Sequence, residues 1–209
     1  MPDQPPDKYL DPYRDAQDDF GNDFGVTLWA NTKSQERRFK VFTQMCYLPG
    51  KRILDAGCSR GDLAAFLNER NVEYASYVGV DGLSEVIEYA NQRGLPRAEF
   101  HAGDFVSEPK VLSIGSPQVI TFSGTLNTMD DSTAMNLLDA AWEACSETLL
   151  FNFLSSRCTT DRREELGPAR RLDPLKYLDW ALARTSAVQL RQDYFKRGHD
   201  ATIKMCKIA

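Results

Sequence analysis

The run Arg52-Ile-Leu-Asp-Ala-Gly-Cys-Ser-Arg-Gly-Asp-Leu63 passes from strand to helix within a dozen residues. Ile53, Leu54 and Ala56 are the short apolar run of a fully buried strand, Gly57 ends it, the chain turns through Gly61, and a helical pattern starts at once. Glycine at such a turn lets a ligand approach the backbone, and the helix that follows offers N–H groups with no partner inside the helix. Twenty residues beyond Gly61, a second buried run ends in Val78-Gly79-Val80-Asp81. A carboxylate in that place can accept hydrogen bonds from both hydroxyls of a ribose.

Outward from this segment, β-rich and helical runs alternate. Val119-Ile120 with Phe122 and Leu149 to Leu154 read as further buried strands, and His101 falls on a third strand between them and the first pair. Leu63 to Arg70 is helical, a second helix starts at the N-cap Ser84, and a third follows Asp131-Ser132 with Leu137, Leu138, Ala141 and Trp142 on one stripe. Strands separated by single helices pair in parallel, because only a crossover returns the chain to the same sheet edge. Asp173-Pro174 marks another helix start, N-cap then proline. The apolar runs 187–194 and 201–208 lie too close together for a crossover and form an antiparallel hairpin.

The pattern predicts an α/β protein with a doubly wound seven-stranded sheet, mostly parallel with an antiparallel C-terminal hairpin strand, and helices on both faces. At 209 residues it is expected to be one domain: an acidic arm over 1–25, a lead-in helix and lid over 26–48 with its N-cap at Ser34, and the core over 51–209. A short helix is expected in the arm around Pro12 to Asp19.

Composition narrows the function classes. Apolar residues make up 42% and charged ones 26%, which suits a packed soluble chain. No run spans a bilayer and Met1 to Leu10 lacks the order of a signal peptide, so the expected location is the cytoplasm. The five cysteines are scattered and never in a C-x-x-C pair, which argues against a disulfide framework and against a metal site. Seven Asp against Lys8 and Arg14 place the whole net charge of −5 in the arm, leaving the body neutral. A body without a basic field is a poor binder of DNA.

A dinucleotide fingerprint would need glycine where Ser59 and Asp62 stand, and a P-loop would need G-x-x-x-x-G-K-[ST], which is absent. A nucleoside ligand without phosphates remains. At this point the sequence resembles the class I methyltransferases that depend on S-adenosylmethionine (SAM) and have a Rossmann-like sheet. Their first motif, acidic-x-Gly-x-Gly-x-Gly, is matched by Asp55-Ala-Gly57-Cys-Ser59-Arg-Gly61 with Ser in place of the middle glycine. The resemblance continues through Asp81 and through Gly103-Asp104-Phe105, which it sets against the adenine, and through Phe122 to Asn127 beside the methionine moiety.

The resemblance implies SAM as cofactor, S-adenosylhomocysteine (SAH) as product, and a binding set of Asp55, Gly57, Cys58, Ser59, Gly61, Asp81, Gly82, Leu83, Asp104, Phe105 and Ser123. The same resemblance, to bacterial small-molecule enzymes of this class, adds Arg38 and Trp29 from the lead-in segment. Arg38 is read either as reaching the SAM carboxylate or as a solvated surface residue, Trp29 as a lid or as packing, and Asp55 either as a binder or as a cap of the first turn.

Methyl transfer from a sulfonium needs alignment and exclusion of water, and a base only when the acceptor must lose a proton. No catalytic constellation stands out; Asn127, His199 and Tyr13 are the candidates, while His101 reads as structural. Within 155–172, Arg157, Arg162, Arg163, Arg170 and Arg171 face Asp161, Glu164 and Glu165, readable as a basic lid for an anionic acceptor or as a solvated segment. The expected activity is methyl transfer to an O, N or C atom of a small molecule. A SAM-binding regulatory module without turnover, a protein or RNA methyltransferase and, more distantly, a nicotinamide enzyme stand as alternatives.

Overall fold

The computed structural model describes residues 8–159 and 167–208. Seven strands form one sheet: β1 (Arg52–Ala56), β2 (Ser76–Asp81), β3 (Ala98–Ala102), β4 (Val119–Ser123), β5 (Thr148–Leu154), β6 (Val188–Arg191) and β7 (Asp200–Cys206). Their order is β3-β2-β1-β4-β5-β7-β6. β1 pairs in parallel with β2 and β4, β2 with β3, and β4 with β5. β7 runs antiparallel to both β5 and β6, as the short hairpin spacing requires. The strand order reverses at β1 and β4, so a crevice opens beyond the carboxyl ends of those strands.

Successive side chains of a strand face opposite sides, so each strand feeds two cores. On one face, Ile53, Tyr77 and Val119 pack with helices α2 (Thr32–Met45), α3 (Asp62–Glu69) and α4 (Ser84–Gln92) through Phe39, Phe42, Phe66 and Ile87. On the other, Leu54, Val78 and Ile120 pack with α5 (Asp131–Ala144) and α6 (Pro174–Leu182) through Leu138, Trp142, Tyr177 and Trp180. No helix among the described residues is long and apolar enough to cross a membrane.

From Lys8 onward the N-terminal arm contains the short helix expected there. Lys8–Leu10 form a 3-10 turn leading into helix α1 (Asp11–Phe20), and Tyr9 and Leu10 are buried in the second core. Two helix starts are corrected. Asn31 caps α2, its side chain accepting from the Ser34 N–H at 2.9 Å, so the helix begins at Thr32 rather than behind Ser34. Helix α4 begins at Ser84 itself behind Leu83, with no side-chain cap, so Ser84 is the first helical residue rather than the N-cap. Asp173 does cap α6, accepting from the Leu175 N–H at 3.1 Å, with Pro174 in the first turn.

Candidate active site

The β1 turn and the end of β2 are locked together by one carboxylate. Asp81 accepts from the Ser59 N–H at 2.8 Å and from the Leu83 N–H at 3.1 Å, which draws the loop after β1 against the loop after β2. Burial raises its pKa, against the backbone donors of Leu83, Ser59 and Gly82 that lower it. Ser59 stands where the motif has glycine and takes φ 45°, the left-handed region that glycine adopts freely.

Gly57 has φ +77°, and a Cβ there would lie 2.7 Å from Thr125 Cγ2. Thr125 is held by its hydroxyl, which donates to the Ala56 carbonyl at 3.0 Å, so it cannot step aside cheaply. Gly57→Ala is expected to cost about 1–3 kcal/mol from backbone strain and overpacking, and to weaken SAM binding with it. Urea unfolding and SAM titration of the same preparation check this; a stability within about 0.3 kcal/mol of the parent would contradict the contact.

These turns line a pocket of about 570 Å³, a volume suited to a small organic ligand. Asp55, Gly57, Cys58, Ser59, Asp81, Gly82, Leu83, Phe105 and Ser123 are all in its wall. So are Tyr13, Trp29, Arg38, Asn127 and His199. Gly61 and Asp104, by contrast, are not in the wall. Gly61 is the N-cap of α3, and Asp104 is taken by the arm: its Oδ1 accepts from the Tyr9 hydroxyl at 2.6 Å and from the Val106 N–H at 2.9 Å. Phe105 reaches the pocket beside it, with Tyr9 at 6.2 Å between ring centroids. His101 lies on the edge strand β3, outside the wall, near Glu99.

Asp55 does not cap a turn. It is 3% exposed and accepts from the Tyr77 hydroxyl at 2.6 Å and the Thr121 hydroxyl at 2.8 Å, so it braces the sheet beneath the pocket floor. Burial pushes its pKa up to about 6, although both hydroxyls act to lower it. The folded chain thus binds this proton more tightly than the unfolded one. The resulting stability is fully present below about pH 4 and is lost as pH rises through about 6. Asp55→Asn is expected to remove that dependence, so that parent-minus-variant stability falls between pH 4 and 7 by on the order of 2–3 kcal/mol; a flat difference in urea midpoints would count against it.

Arg38 is not solvated: it is 3% exposed. Its Nε and Nη2 donate to the two oxygens of Asp200, the latter at 2.9 Å, and Nη1 donates to the Ser34 carbonyl at 2.9 Å. Its guanidinium lies over the Trp29 ring at 4.0 Å and the Phe195 ring at 4.6 Å. Trp29 in turn sits on the backbone of Gly124, at φ +76°, where a Cβ would run into the indole. Leu10 packs against Gly82 after β2 as Trp29 does against Gly124 after β4, and Tyr13, Val26 and Leu28 join them in the pocket wall.

The three catalytic candidates have distinct surroundings. The Asn127 side-chain oxygen accepts from the Leu154 N–H at 3.0 Å and its carbonyl from the Arg170 N–H at 2.8 Å, ties that bind the β4 loop to the end of β5. Burial pushes the Tyr13 phenol up to about 12, which keeps it a donor at neutral pH. His199 lies in the pocket wall rather than on an outer turn, with Nδ1 at 3.1 Å from Arg171 Nη2 and Nε2 at 3.6 Å from Asp200 Oδ1. Burial lowers its pKa, with Asp200 opposing and Arg171 and Arg38 assisting.

The sequence reading missed Tyr9, Phe195 and Lys196 as wall residues; the aromatic spacing in the arm and the Phe-Lys-Arg run at the hairpin turn were the available signals. Asp161, Arg162, Arg163, Glu164 and Glu165 of the proposed basic lid lie outside the described residues.

A family described as methyltransferase domain matches residues 48–141. No curated protein matches. Among solved structures, a SAM-dependent methyltransferase from Archaeoglobus fulgidus is similar at TM-score 0.65 and 14% identity, over 85% of this chain and 95% of that one. The magnesium protoporphyrin IX methyltransferase of Synechocystis is similar at 0.61 and 12%, over 89% and 82%. Phosphoethanolamine N-methyltransferase 1 of Haemonchus contortus is similar at 0.68 and 14%, over 97% of this chain and 49% of that one. The methyltransferase-domain match lies across β1 to α5, and the chain shares the fold of these SAM-dependent methyltransferases.

Proposed function

We propose that the pocket binds SAM across the ends of β1 and β2 and passes its methyl group to a small molecule, with arm, lead-in helix and core acting as one unit. The observation that carries this is the convergence of Asp81, Gly57 and Ser59 in the wall of one roofed pocket. The donor set fits the cofactor. With Asp62 beside them paired to Arg93, Asp55 and Asp81 make this end of the pocket acidic, which suits a ligand with a sulfonium and an ammonium group and disfavours one with phosphates. Asp81 would hold the ribose, and Gly57 and Ser59 would let the methionine portion approach the backbone.

When bound, SAM supplies a methyl group already activated by the positive sulfur. The chain's work is then to orient and to exclude water. Trp29, Leu28 and Tyr13 roof the pocket, and the Arg38–Asp200 pair fixes Trp29 from behind. A roofed pocket favours a small acceptor over a protein or RNA, which would need an open cleft. Solved relatives in complex with SAM, SAH or phosphoethanolamine support the same reading by analogy.

Calorimetry with SAM and SAH tests it. Both are expected to bind at micromolar concentration with one site per chain, and a screen of small acceptors is expected to release SAH. Absence of binding by either ligand up to about 1 mM, a range that would leave little specific interaction energy, overturns the proposal.

A further inference from the structure

The two ends of the pocket are of opposite sign. Asp55 and Asp81 line the β1–β2 end, with Asp62 beside them paired to Arg93 at 2.7 Å, whereas Arg37, Arg171 and Lys196 line the end formed by α2, β5 and the β6–β7 hairpin. Arg38 also lies there, but its charge is compensated by Asp200. Among the described residues, no carboxylate forms an ion pair with Arg37, Arg171 or Lys196. Arg171 donates through Nη1 to the Ser155 carbonyl at 3.0 Å and the His199 carbonyl at 3.2 Å. Its Nη2 lies 3.1 Å from His199 Nδ1, and since a guanidinium only donates, that nitrogen is the acceptor of the ring. Arg171 is therefore fixed in place by neutral hydrogen-bond partners, and the Asp200 carboxylate, which feels its charge, is already paired with Arg38. Rigid cations of this kind favour a planar or tetrahedral oxyanion.

We infer that the methyl acceptor carries an oxyanion, carboxylate or phosphoryl, seated by Arg171 and Lys196 at the hairpin end of the pocket. The inference rests on the proposed SAM site, which assigns the acidic end to the cofactor and leaves the basic end to the acceptor. Oppositely charged ends orient the two ligands before reaction, the cationic cofactor toward Asp81 and the anion toward Arg171. Arg37, stacked over Phe195 at 4.9 Å, adds to the field at the mouth.

The test is a titration of the SAH-loaded protein with propanoate and methylphosphonate, each set beside its neutral counterpart, propanamide or dimethyl methylphosphonate. One or both anions are expected to bind and neither neutral compound, and the anion that binds more tightly identifies the carboxylate or the phosphoryl group. Arg171→Gln is expected to weaken anion binding about tenfold, as loss of a charge-assisted contact does. Because Arg171 also braces two carbonyls, the exposed Lys196→Gln is the second variant, expected to weaken binding at least about threefold with SAH affinity unchanged. Lys40→Gln, on the outer side of α2, serves as the unchanged control. Equal binding of anions and neutral counterparts, no anion binding to the SAH-loaded protein, or parental affinity in both variants overturns the inference. Failure of SAH itself to bind is separately visible and removes the cofactor reading together with this one.

Discussion

Asp81→Ala is expected to raise the dissociation constant for SAM and SAH by on the order of a hundredfold or more, because the two charge-assisted hydrogen bonds proposed between this carboxylate and the ribose, of about 1.5–3 kcal/mol each, would disappear. The effect has a second source. The same carboxylate ties the Ser59 and Leu83 N–H groups, so its removal frees both loops at this end of the pocket. Asp81→Asn separates the two, since an amide keeps one accepting oxygen but sets its NH2 against one of those backbone donors. It is expected to fall between parent and Asp81→Ala. Urea unfolding run alongside distinguishes lost binding from lost folding. An Asp81→Ala protein that is folded and binds SAH within about threefold of the parent would place the nucleoside elsewhere.

Asp200→Ala is expected to cost stability rather than affinity first. It would leave the Arg38 guanidinium, 3% exposed, without its counter-charge. Breaking a buried pair from one side costs about 3–5 kcal/mol, a large share of the roughly 5–15 kcal/mol that holds a typical domain folded. For a chain of this length the melting temperature should fall by on the order of 10 °C. Arg38→Met combined with Asp200→Leu is expected to recover most of that loss, because neither charge then remains buried. The double variant should still lose part of the methyl-transfer rate, since the guanidinium that supports Trp29 and the partner of His199 Nε2 are both gone. If Asp200→Ala unfolds within about 0.5 kcal/mol of the parent, the pair is not the brace described here.

Much of this molecule was legible from local pattern. The alternation of short apolar runs with amphipathic ones announced the parallel order of β1 to β5, and the close spacing of the last two runs required the antiparallel β6–β7 hairpin. These features depend on periodicity and connection length, which neighbouring residues alone specify. Gly57, Ser59 and Asp81 were legible for the same reason: each sits at a strand end whose place in the sheet follows from the alternation.

Only the tertiary structure decided what faces what. Arg38 and Asp200 are 162 residues apart, and no spacing rule couples them; their pairing exists because β7 inserts beside β5 and brings its first residue under α2. Tyr9 reaches Asp104 across 95 residues in the same way, so one oxygen of an acid read from its motif as a ligand contact is engaged by the arm. The gathering of Arg37, Arg171 and Lys196 at one end of the pocket, opposite Asp55 and Asp81, likewise arises from three separate segments. A sequence determines which local elements form because backbone and burial preferences act over a few residues, whereas the charge pattern of a cavity is set by how those elements close around it.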